Sequence, residues 1–304
     1  MKILAFGATG FVGGHLVPHL LERGHEVTVA ARSGKARVSP WAKVIKADPT
    51  VPGPWQELIA EHDAVVNLAG SPVMTRWTQA GKDGIMRSRT MSTRHIVDAL
   101  SATTGKTLLC ANAIGYYGDT GDAICTEDTP RGNGFLADVT KAWQEEALHA
   151  QSFGHRVVIP RVSVVLGQGG ALAKMITPFS LGLGGRIGHG RQWFSWIHIN
   201  DLVRIMSFLL ETPAASGPFN ACAPEPLTNA DFTKALAAAL KRPAFLPVPA
   251  FALSLILGEA ASMLLTGQRC QPAALERLDF KFDFPRIEGA LADIIPAFKA
   301  ARSA

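Results

Sequence analysis

The chain has 304 residues, of which 47% are hydrophobic and 18% are charged. This composition is that of a globular protein with a sizeable core, and it excludes a disordered or fibrous chain. The net charge of +5 is spread along the sequence without a long basic run. We therefore expect the partner to be a small molecule, which could be anionic, and we expect no nucleic-acid partner.

The cysteines, the N-terminus and the hydropathy favour a reducing, aqueous compartment. The four cysteines are widely spaced and form no pair or cluster typical of a zinc site. Met1 and Lys2 run directly into a predicted strand, which leaves no room for a signal peptide. The longest apolar stretch, residues 250–265, is too short to span a bilayer. We expect a cytoplasmic protein with no metal and no membrane partner, and the sequence leaves its oligomeric state open.

Up to about residue 165, short β-branched runs alternate with longer amphipathic segments. This alternation is typical of βαβ units and predicts an α/β protein with a doubly wound parallel sheet, the Rossmann fold. The predicted strands are residues 3–6, 26–30, 43–45, 64–68, 107–110 and 156–159.

After residue 165 the pattern changes to a glycine-rich, aromatic segment and then to helices. Phe280, Phe282 and Phe284 alternate with charged residues as they would in a strand. We expect a Rossmann core in residues 1–167, to which later segments return, and a smaller α-rich substrate lobe with a C-terminal extension in residues 168–304. The predicted helices here are residues 202–210, capped by Asn200, residues 232–240, capped by Thr228, and an apolar helix within residues 250–265.

A Gly-x-x-Gly-x-x-Gly sequence stands between the first predicted strand and the first predicted helix. Gly7 permits a tight turn, Gly10 lets the backbone approach a pyrophosphate, and Gly13 lets helix and strand pack closely. The pyrophosphate would lie on the free N–H groups at the start of the helix, where Phe11 and Val12 stand. A chance glycine loop is disfavoured, because the second strand follows at the expected distance.

The end of the second strand carries Ala31, Arg32 and Ser33, where NAD-binding enzymes place a carboxylate for the ribose 2′-hydroxyl. A carboxylate would repel a 2′-phosphate, whereas a guanidinium binds it through paired, charge-assisted hydrogen bonds. The sequence therefore predicts NADP(H), with Lys35 and Arg37 as auxiliary cations. The alternative is that Arg32 is a solvated surface arginine.

The whole chain resembles the extended short-chain dehydrogenase/reductases, and among them the epimerase family group labelled subfamily 39U, with its C-terminal domain of unknown function. The resemblance rests on residues 7–13, 63–70, 88–89, 93–94, 115–118, 161–167, 196–201, 267–269, 272 and 282–285.

The resemblance implies further cofactor contacts. Leu68, Ala69 and Gly70, at the end of the fourth predicted strand, are expected along the cofactor. Arg89 is expected to reach it from the next helix, and Val165 to flank the nicotinamide. From the residues alone, the strand-end positions would be interpreted as core and Arg89 as a surface charge.

The resemblance also indicates a catalytic set that this chain lacks. Such reductases usually move a proton with a Tyr-x-x-x-Lys pair and orient the carbonyl with a serine or threonine. Here Ala137 and Ala113 stand at the tyrosine and serine positions, and Lys141 stands at the lysine position. A positioned general acid contributes about 10²–10⁴ in rate, so the loss is substantial.

Two residues remain as catalytic candidates. Tyr117, in the turn after the fifth strand, is the best remaining proton donor, because that strand end faces the cofactor crevice. Lys141 could still hold the nicotinamide ribose. The alternatives are a turn tyrosine with a structural role and an exposed helix lysine.

The segment 184–198 is the candidate substrate side. Arg186 and Arg191 could hold an anion, and Trp193 and Trp196 could form an apolar wall. The alternative is that these tryptophans pack the two lobes together.

Three functions fit these patterns. An NADP(H)-dependent oxidoreductase of an unknown small molecule is favoured. A sugar-nucleotide epimerase or dehydratase is less favoured, because it needs the missing base. A catalytically silent, NADP(H)-binding regulatory protein is the third.

Overall fold

A parallel sheet with helices on both faces forms the centre of the molecule. The computed structural model describes residues 1–33 and 38–303, and the side chains of the last helix up to residue 298. The strands are β1 (Lys2–Phe6), β2 (Glu26–Ala31), β3 (Lys43–Lys46), β4 (Ala64–Asn67), β5 (Thr107–Cys110), β6 (Asn112–Ala113), β7 (Ile124–Cys125), β8 (Arg156–Val162), β9 (Val164–Leu166), β10 (Trp193–Phe194), β11 (Trp196–His198), β12 (Gly217–Ala221), β13 (Leu227–Thr228) and β14 (Arg269–Cys270).

The central sheet has the strand order β3-β2-β1-β4-β5-β8-β12, and all neighbours are parallel. The six strands predicted for the core are all present, and β12 adds an edge strand beside β8. The order reverses between β1 and β4, and in open α/β sheets the ligand crevice lies outside the carboxyl ends of the strands at such a point.

The helices cover both faces of the sheet. They are α1 (Phe11–Glu22), α2 (Gln79–Leu100), α3 (Phe135–Leu148), α4 (Gly170–Ser180), α5 (Ile199–Glu211), α6 (Asn229–Leu240), α7 (Ala250–Leu257), α8 (Ser262–Leu265), α9 (Ala273–Arg277) and α10 (Ile287–Ser303). None of the described helices is both long and apolar enough to cross a membrane.

The strands in the middle of the sheet bury both of their faces. Successive side chains of a strand point to opposite faces, so β1 supplies two separate cores. Ile3 and Ala5 pack with residues of α1 and α5, whereas Leu4 and Phe6 pack with residues of α2 and α3. A third core joins α4, α6 and α10. The near-continuous apolar sequence of the central strands follows from this two-sided burial.

One of the two predicted helix caps is confirmed. The Thr228 hydroxyl accepts a hydrogen bond from the Asp231 N–H at 3.2 Å, and α6 begins there. The prediction for Asn200 was wrong, because α5 begins earlier. Its cap is His198, whose Nδ1 accepts a hydrogen bond from the Asn200 N–H at 3.1 Å.

The alternating phenylalanines of the C-terminal part do not form the predicted strand. The N–H groups of Asp283 and Phe284 donate to the fully buried carboxylate of Asp201, at 2.9 Å each, instead of to a neighbouring strand. Arg204 donates to the same carboxylate at 2.7 Å. Asp201 therefore fastens the C-terminal segment to the start of α5. The apolar run from residue 250 is also broken, since a 3₁₀ turn separates α7 from α8.

Candidate cofactor and substrate cleft

A cleft of about 630 Å³ opens at the carboxyl ends of the central strands. Its lining begins with the turn between β1 and α1, which brings Gly7, Gly10, Phe11, Val12 and Gly13 to one end. The lining continues past the ends of β4 and β5 to α3, and then to α8 and the chain after it. The predicted glycine motif and the crevice at the reversal of strand order therefore coincide.

The three glycines differ in what surrounds them. Gly7 has φ +71°, and a Cβ there would lie 2.5 Å from the carbonyl carbon of Leu68. A Cβ on Gly13 would lie 2.3 Å from the Cα of Ala8. At Gly10 the nearest atom to a Cβ would be the Gly7 oxygen, at 3.3 Å. Packing of the protein thus requires Gly7 and Gly13, whereas Gly10 keeps open space at the cleft.

Helix α1 points its N-terminus at the cleft without a side-chain cap. Gly10 is the N-cap, and the first turn has no acidic residue. The first N–H groups of a helix have no intrahelical acceptors and carry the positive end of the helix dipole, so they attract an anion such as a phosphate. The ring of Phe11 packs under Gly167, Gly169 and Gly170, where a Cβ would approach it to 2.8–3.1 Å.

The end of β2 has the charge pattern expected from the sequence. Ala31 is buried, and Arg32 and Ser33 are exposed. Burial opposes ionisation of the nearby Asp48, but hydrogen bonds from a neighbouring threonine and the charge of Arg32 lower the pKa of that carboxyl. Arg32 is thus a surface cation at the tip of β2. Two further predicted cofactor residues lie outside the described residues: Lys35 and Arg37.

Arg89 lies across the end of β4 and lines the cleft. Its Nη1 donates to the Ile85 carbonyl and its Nη2 to the Ser71 carbonyl, both at 3.1 Å. The guanidinium lies 5.2 Å from the ring centroid of Trp143. A Cβ on Gly70 would lie 3.0 Å from the Arg89 Cζ, so the glycine makes room for this side chain. Burial lowers the pKa of Arg89 to about 10, which leaves it cationic at neutral pH.

The other residues expected along the cofactor divide between cleft and core. Leu68 lines the cleft. Ala69 packs against the core on the α2 side of the sheet, and Val165 packs against the core on the α1 side. The cleft is lined instead by the two residues that precede Val165, which are Ser163 and Val164. Val164 and Val165 are adjacent residues of β9, so their side chains point to opposite sides of the strand.

The two positions at which related reductases carry a catalytic serine and a catalytic tyrosine both lie in this cleft. Ala113 and Ala137 both line it and present methyl groups. Lys141, one turn after Ala137, is exposed and pairs with Glu145 at 2.7 Å. The lysine therefore faces solvent in the described structure, and the two alanines face the cleft.

Tyr117 lies in the core behind the cleft. Its hydroxyl donates to Asn220 Oδ1 at 2.7 Å and accepts from Arg161 Nη1 at 2.8 Å. The side chain is fully buried in a cluster with Cys125 and Cys270, and burial raises the pKa of its phenol well above the ordinary value. This geometry favours the structural alternative for Tyr117.

Sequence reasoning missed the far wall of the cleft. Trp77 and Phe135 lie edge to face with their ring centroids 4.9 Å apart, and Met263 of α8 joins them in the lining. The Trp77 Nε1 donates to the Val73 carbonyl at 3.0 Å, which fixes the indole. No motif or periodicity marks these residues, because they come from three distant segments.

The segment predicted to form the substrate side packs against residues 267–268, next to the cleft, without lining it. The Trp193 Nε1 donates to Asp122 at 2.8 Å, and the buried Trp196 donates to the Glu225 carbonyl at 3.2 Å. Arg186 and Arg191 are exposed. None of these four residues lines the cleft, so the geometry favours the alternative that these tryptophans have a packing role.

Across residues 1–33 and 38–303, no group of three or more His, Cys, Asp or Glu side chains is placed to hold a metal ion. The cleft itself is lined mainly by apolar side chains and backbone.

Comparison with known proteins places the chain in a family. The model of the NAD dependent epimerase/dehydratase family matches residues 3–222. The chain belongs to this family. The model of a domain of unknown function, DUF1731, matches residues 248–294 of this family member. The resemblance predicted from the sequence is therefore confirmed.

Curated relatives of this epimerase/dehydratase family member match it over nearly its full length. The "Epimerase family protein SDR39U1 homolog, chloroplastic" of Arabidopsis thaliana is 38% identical over 97% of this chain and 87% of its own. The "Epimerase family protein SDR39U1" of Homo sapiens is 35% identical over 97% of this chain and all of its own length.

Solved structures agree with the predicted fold. The crystal structure of human epimerase family protein SDR39U1 (isoform2) with NADPH superimposes with a TM-score of 0.86, at 34% identity over 97% of this chain and 99% of that one. The Thermus thermophilus UDP-glucose 4-epimerase, in complex with NAD, has a TM-score of 0.81 at 18% identity, over 99% of this chain and 100% of that one. The second likeness concerns the fold alone.

Proposed function

We propose that this protein binds NADP(H) and acts as an oxidoreductase of the short-chain dehydrogenase/reductase type on a small molecule, without a Tyr-x-x-x-Lys pair. The observation that carries the proposal is the uncapped N-terminus of α1, held open on the cleft by Gly7, Gly10 and Gly13. The human relative crystallised with NADPH supports the same cofactor.

The residues of the cleft fit the parts of such a cofactor. The N–H groups of Phe11 and Val12 would bind the pyrophosphate, and Arg32 would bind the 2′-phosphate. Leu68 and Arg89 line the cleft between these groups and the substrate side. Bound NADPH would supply a hydride, and the protein's own contribution would be orientation and exclusion of water.

Arg32 tests the cofactor preference. We expect Arg32→Ala to weaken NADPH binding at least tenfold, because a charge-assisted contact of about 1.5–3 kcal/mol is lost, and to leave NADH binding unchanged. Titration of NADPH and NADH fluorescence measures both affinities. Arg242→Ala, which removes another exposed arginine, is the matched control. Equal affinities for the two cofactors in the wild type and in Arg32→Ala would overturn the preference.

A catalytically silent regulatory protein is the second candidate, and the methyl groups of Ala113 and Ala137 in the cleft favour it. Tight NADPH binding without NADPH oxidation by any member of a broad carbonyl panel would support it. The proposal also includes the division at residue 167, which limited proteolysis tests. It includes the cytoplasmic location expected from the sequence, which cell fractionation tests.

A further inference from the structure

The charges of the cleft do not suit a nucleotide-linked substrate. Among the described residues that line it, Arg89 and Asp119 carry the formal charges. Two of the five N–H donors of Arg89 are engaged with backbone carbonyls, and Asp119 is an exposed carboxylate. Recognition of a diphosphate normally uses unengaged arginine or lysine groups. Arg186 and Arg191, the arginines considered for an anion from the sequence, are not part of the lining.

Most of the polar side chains of the cleft are also engaged within the protein. Six of them each donate a hydrogen bond to a backbone carbonyl. They are Asn112, Thr140, Ser163, Ser262, Thr266 and Gln268. A sugar buries several hydroxyls, and each unpaired hydroxyl or unpaired site group costs about 1–3 kcal/mol. The cleft is therefore poorly equipped for a sugar.

The far wall is built for a flat apolar group. Trp77 and Phe135 form a rigid aromatic corner, fixed by the hydrogen bond from Trp77 to Val73. Met263 supplies a deformable apolar surface from the C-terminal part of the chain. Aromatic and thioether side chains make favourable contacts with planar rings. This lining favours a planar, uncharged molecule.

The absence of the usual proton-donating tyrosine from the cleft further limits the carbonyl compounds that it could reduce. Reduction of an isolated ketone produces an alkoxide, which needs a proton from a positioned acid. Ala113 and Ala137 supply none. A quinone differs, because hydride addition gives a phenolate-like monoanion. The hydroquinone formed by its protonation has a pKa comparable to that of tyrosine, about 10. Such an anion can form first and take its proton from water afterwards.

We propose that the substrate of this cleft is an uncharged quinone, or a similarly conjugated planar dicarbonyl, reduced without a proton from the protein. The C–H bond of the dihydronicotinamide breaks and its hydrogen, with both electrons, passes to the quinone. NADPH is oxidised to NADP⁺, and the quinone becomes a hydroquinone after one proton arrives from solvent. This inference rests on the proposed function and deepens it.

The test compares three probes with NADPH: 1,4-naphthoquinone, cyclohexanone and UDP-glucose. We expect kcat/KM for naphthoquinone to exceed that for cyclohexanone by at least about 100-fold, the range in which a positioned acid acts. The naphthoquinone rate should be flat between pH 6 and 8. Calorimetry on the NADP⁺ complex should detect naphthoquinone binding and no UDP-glucose binding. All four cysteines are buried, which limits direct alkylation by the quinone.

A variant pair locates the effect in the aromatic wall. We expect Phe135→Ala to weaken naphthoquinone binding about tenfold, the effect of one lost aromatic contact. Phe245→Ala, which removes an exposed phenylalanine away from the lining, should leave it unchanged. The wild-type probe comparison decides the question even if Phe135→Ala does not fold.

The outcomes separate the two proposals. If calorimetry shows NADPH bound but naphthoquinone neither binds nor is reduced, the quinone inference is overturned and the cofactor proposal stands. Preferential binding of UDP-glucose would also overturn it, in favour of nucleotide-sugar chemistry. If NADPH itself does not bind, the proposed function is overturned.

Discussion

The two ends of the cleft are built from different materials. At the dinucleotide end, the decisive atoms are backbone, supplied by residues 7–13 and pressed against the end of β4. At the end proposed for the substrate they are side chains from widely separated segments, such as Trp77, Phe135 and Met263. A backbone-built site tolerates almost no added atom, whereas a site walled by side chains changes its specificity when one ring is replaced.

The largest expected effect comes from adding one methyl group at the backbone-built end. In Gly13→Ala the new Cβ would lie 2.3 Å from the Cα of Ala8, and no flexible side chain can move to relieve this contact. We expect NADPH affinity to fall on the order of 10²-fold, because the turn must shift by about an ångström. Fluorescence titration and thermal unfolding measure the loss.

The adjacent glycine is the control. A Cβ on Gly14 meets nothing within 4 Å, so Gly14→Ala should bind NADPH normally and gain roughly 0.5–1 kcal/mol in the free energy of unfolding. Wild-type affinity in Gly13→Ala would break the contrast between the two ends.

The second effect concerns the attachment of the C-terminal segment. Asp201→Ala leaves two backbone N–H groups and Arg204 without their carboxylate, so we expect a loss of roughly 3 kcal/mol in unfolding free energy. Denaturant unfolding measures it. The exposed Asp128 is the control, and Asp128→Ala should stay within about 0.5 kcal/mol of wild type. Matching stabilities for the two variants would contradict the fastening role of Asp201.

Tyr117→Phe separates a structural from a catalytic role. We expect a loss of roughly 1–2 kcal/mol in unfolding free energy, because Arg161 and Asn220 each lose a buried partner. Since burial raises the pKa of this phenol, its protonated form adds stability up to its ordinary pKa of 10.0, and this stability is lost at higher pH. The variant should lack that alkaline loss. A hundredfold drop in reductase rate with unchanged stability would instead identify Tyr117 as the proton donor.

The smallest effect is expected at Lys141. Its exposed pair with Glu145 is worth about 0.3–0.5 kcal/mol, so Lys141→Ala should change stability little and NADPH affinity not at all. Lys234→Ala, which removes a similar exposed helix pair, is the comparison. A tenfold loss of NADPH affinity confined to Lys141→Ala would show that the lysine holds the cofactor.

The contrast between the backbone-built and the side-chain-built end of the cleft also explains how much the sequence could predict. The glycine motif, Arg32 and the central strands follow local rules of turn geometry, charge and periodicity, and these rules lead directly to the fold and to one end of the cleft. The aromatic wall follows no local rule, because Trp77 and Phe135 meet only after the sheet has formed. Trp193 and Trp196 had a suggestive local pattern, but hydrogen bonds to distant residues hold both indoles and neither lines the cleft.

The pairing of β14 with β7 affects the order in which the parts of the cleft can form during synthesis of the chain. Gln268, just before β14, donates to the Gly118 carbonyl, and a Cβ on Gly267 would overlap the Trp193 carbonyl oxygen. These contacts bring α8 to the cleft. Chains emerge from the ribosome N-terminus first, so the dinucleotide end can assemble while the segment that carries Met263 is still untranslated. A nascent chain can therefore form the proposed dinucleotide site before the proposed substrate pocket exists.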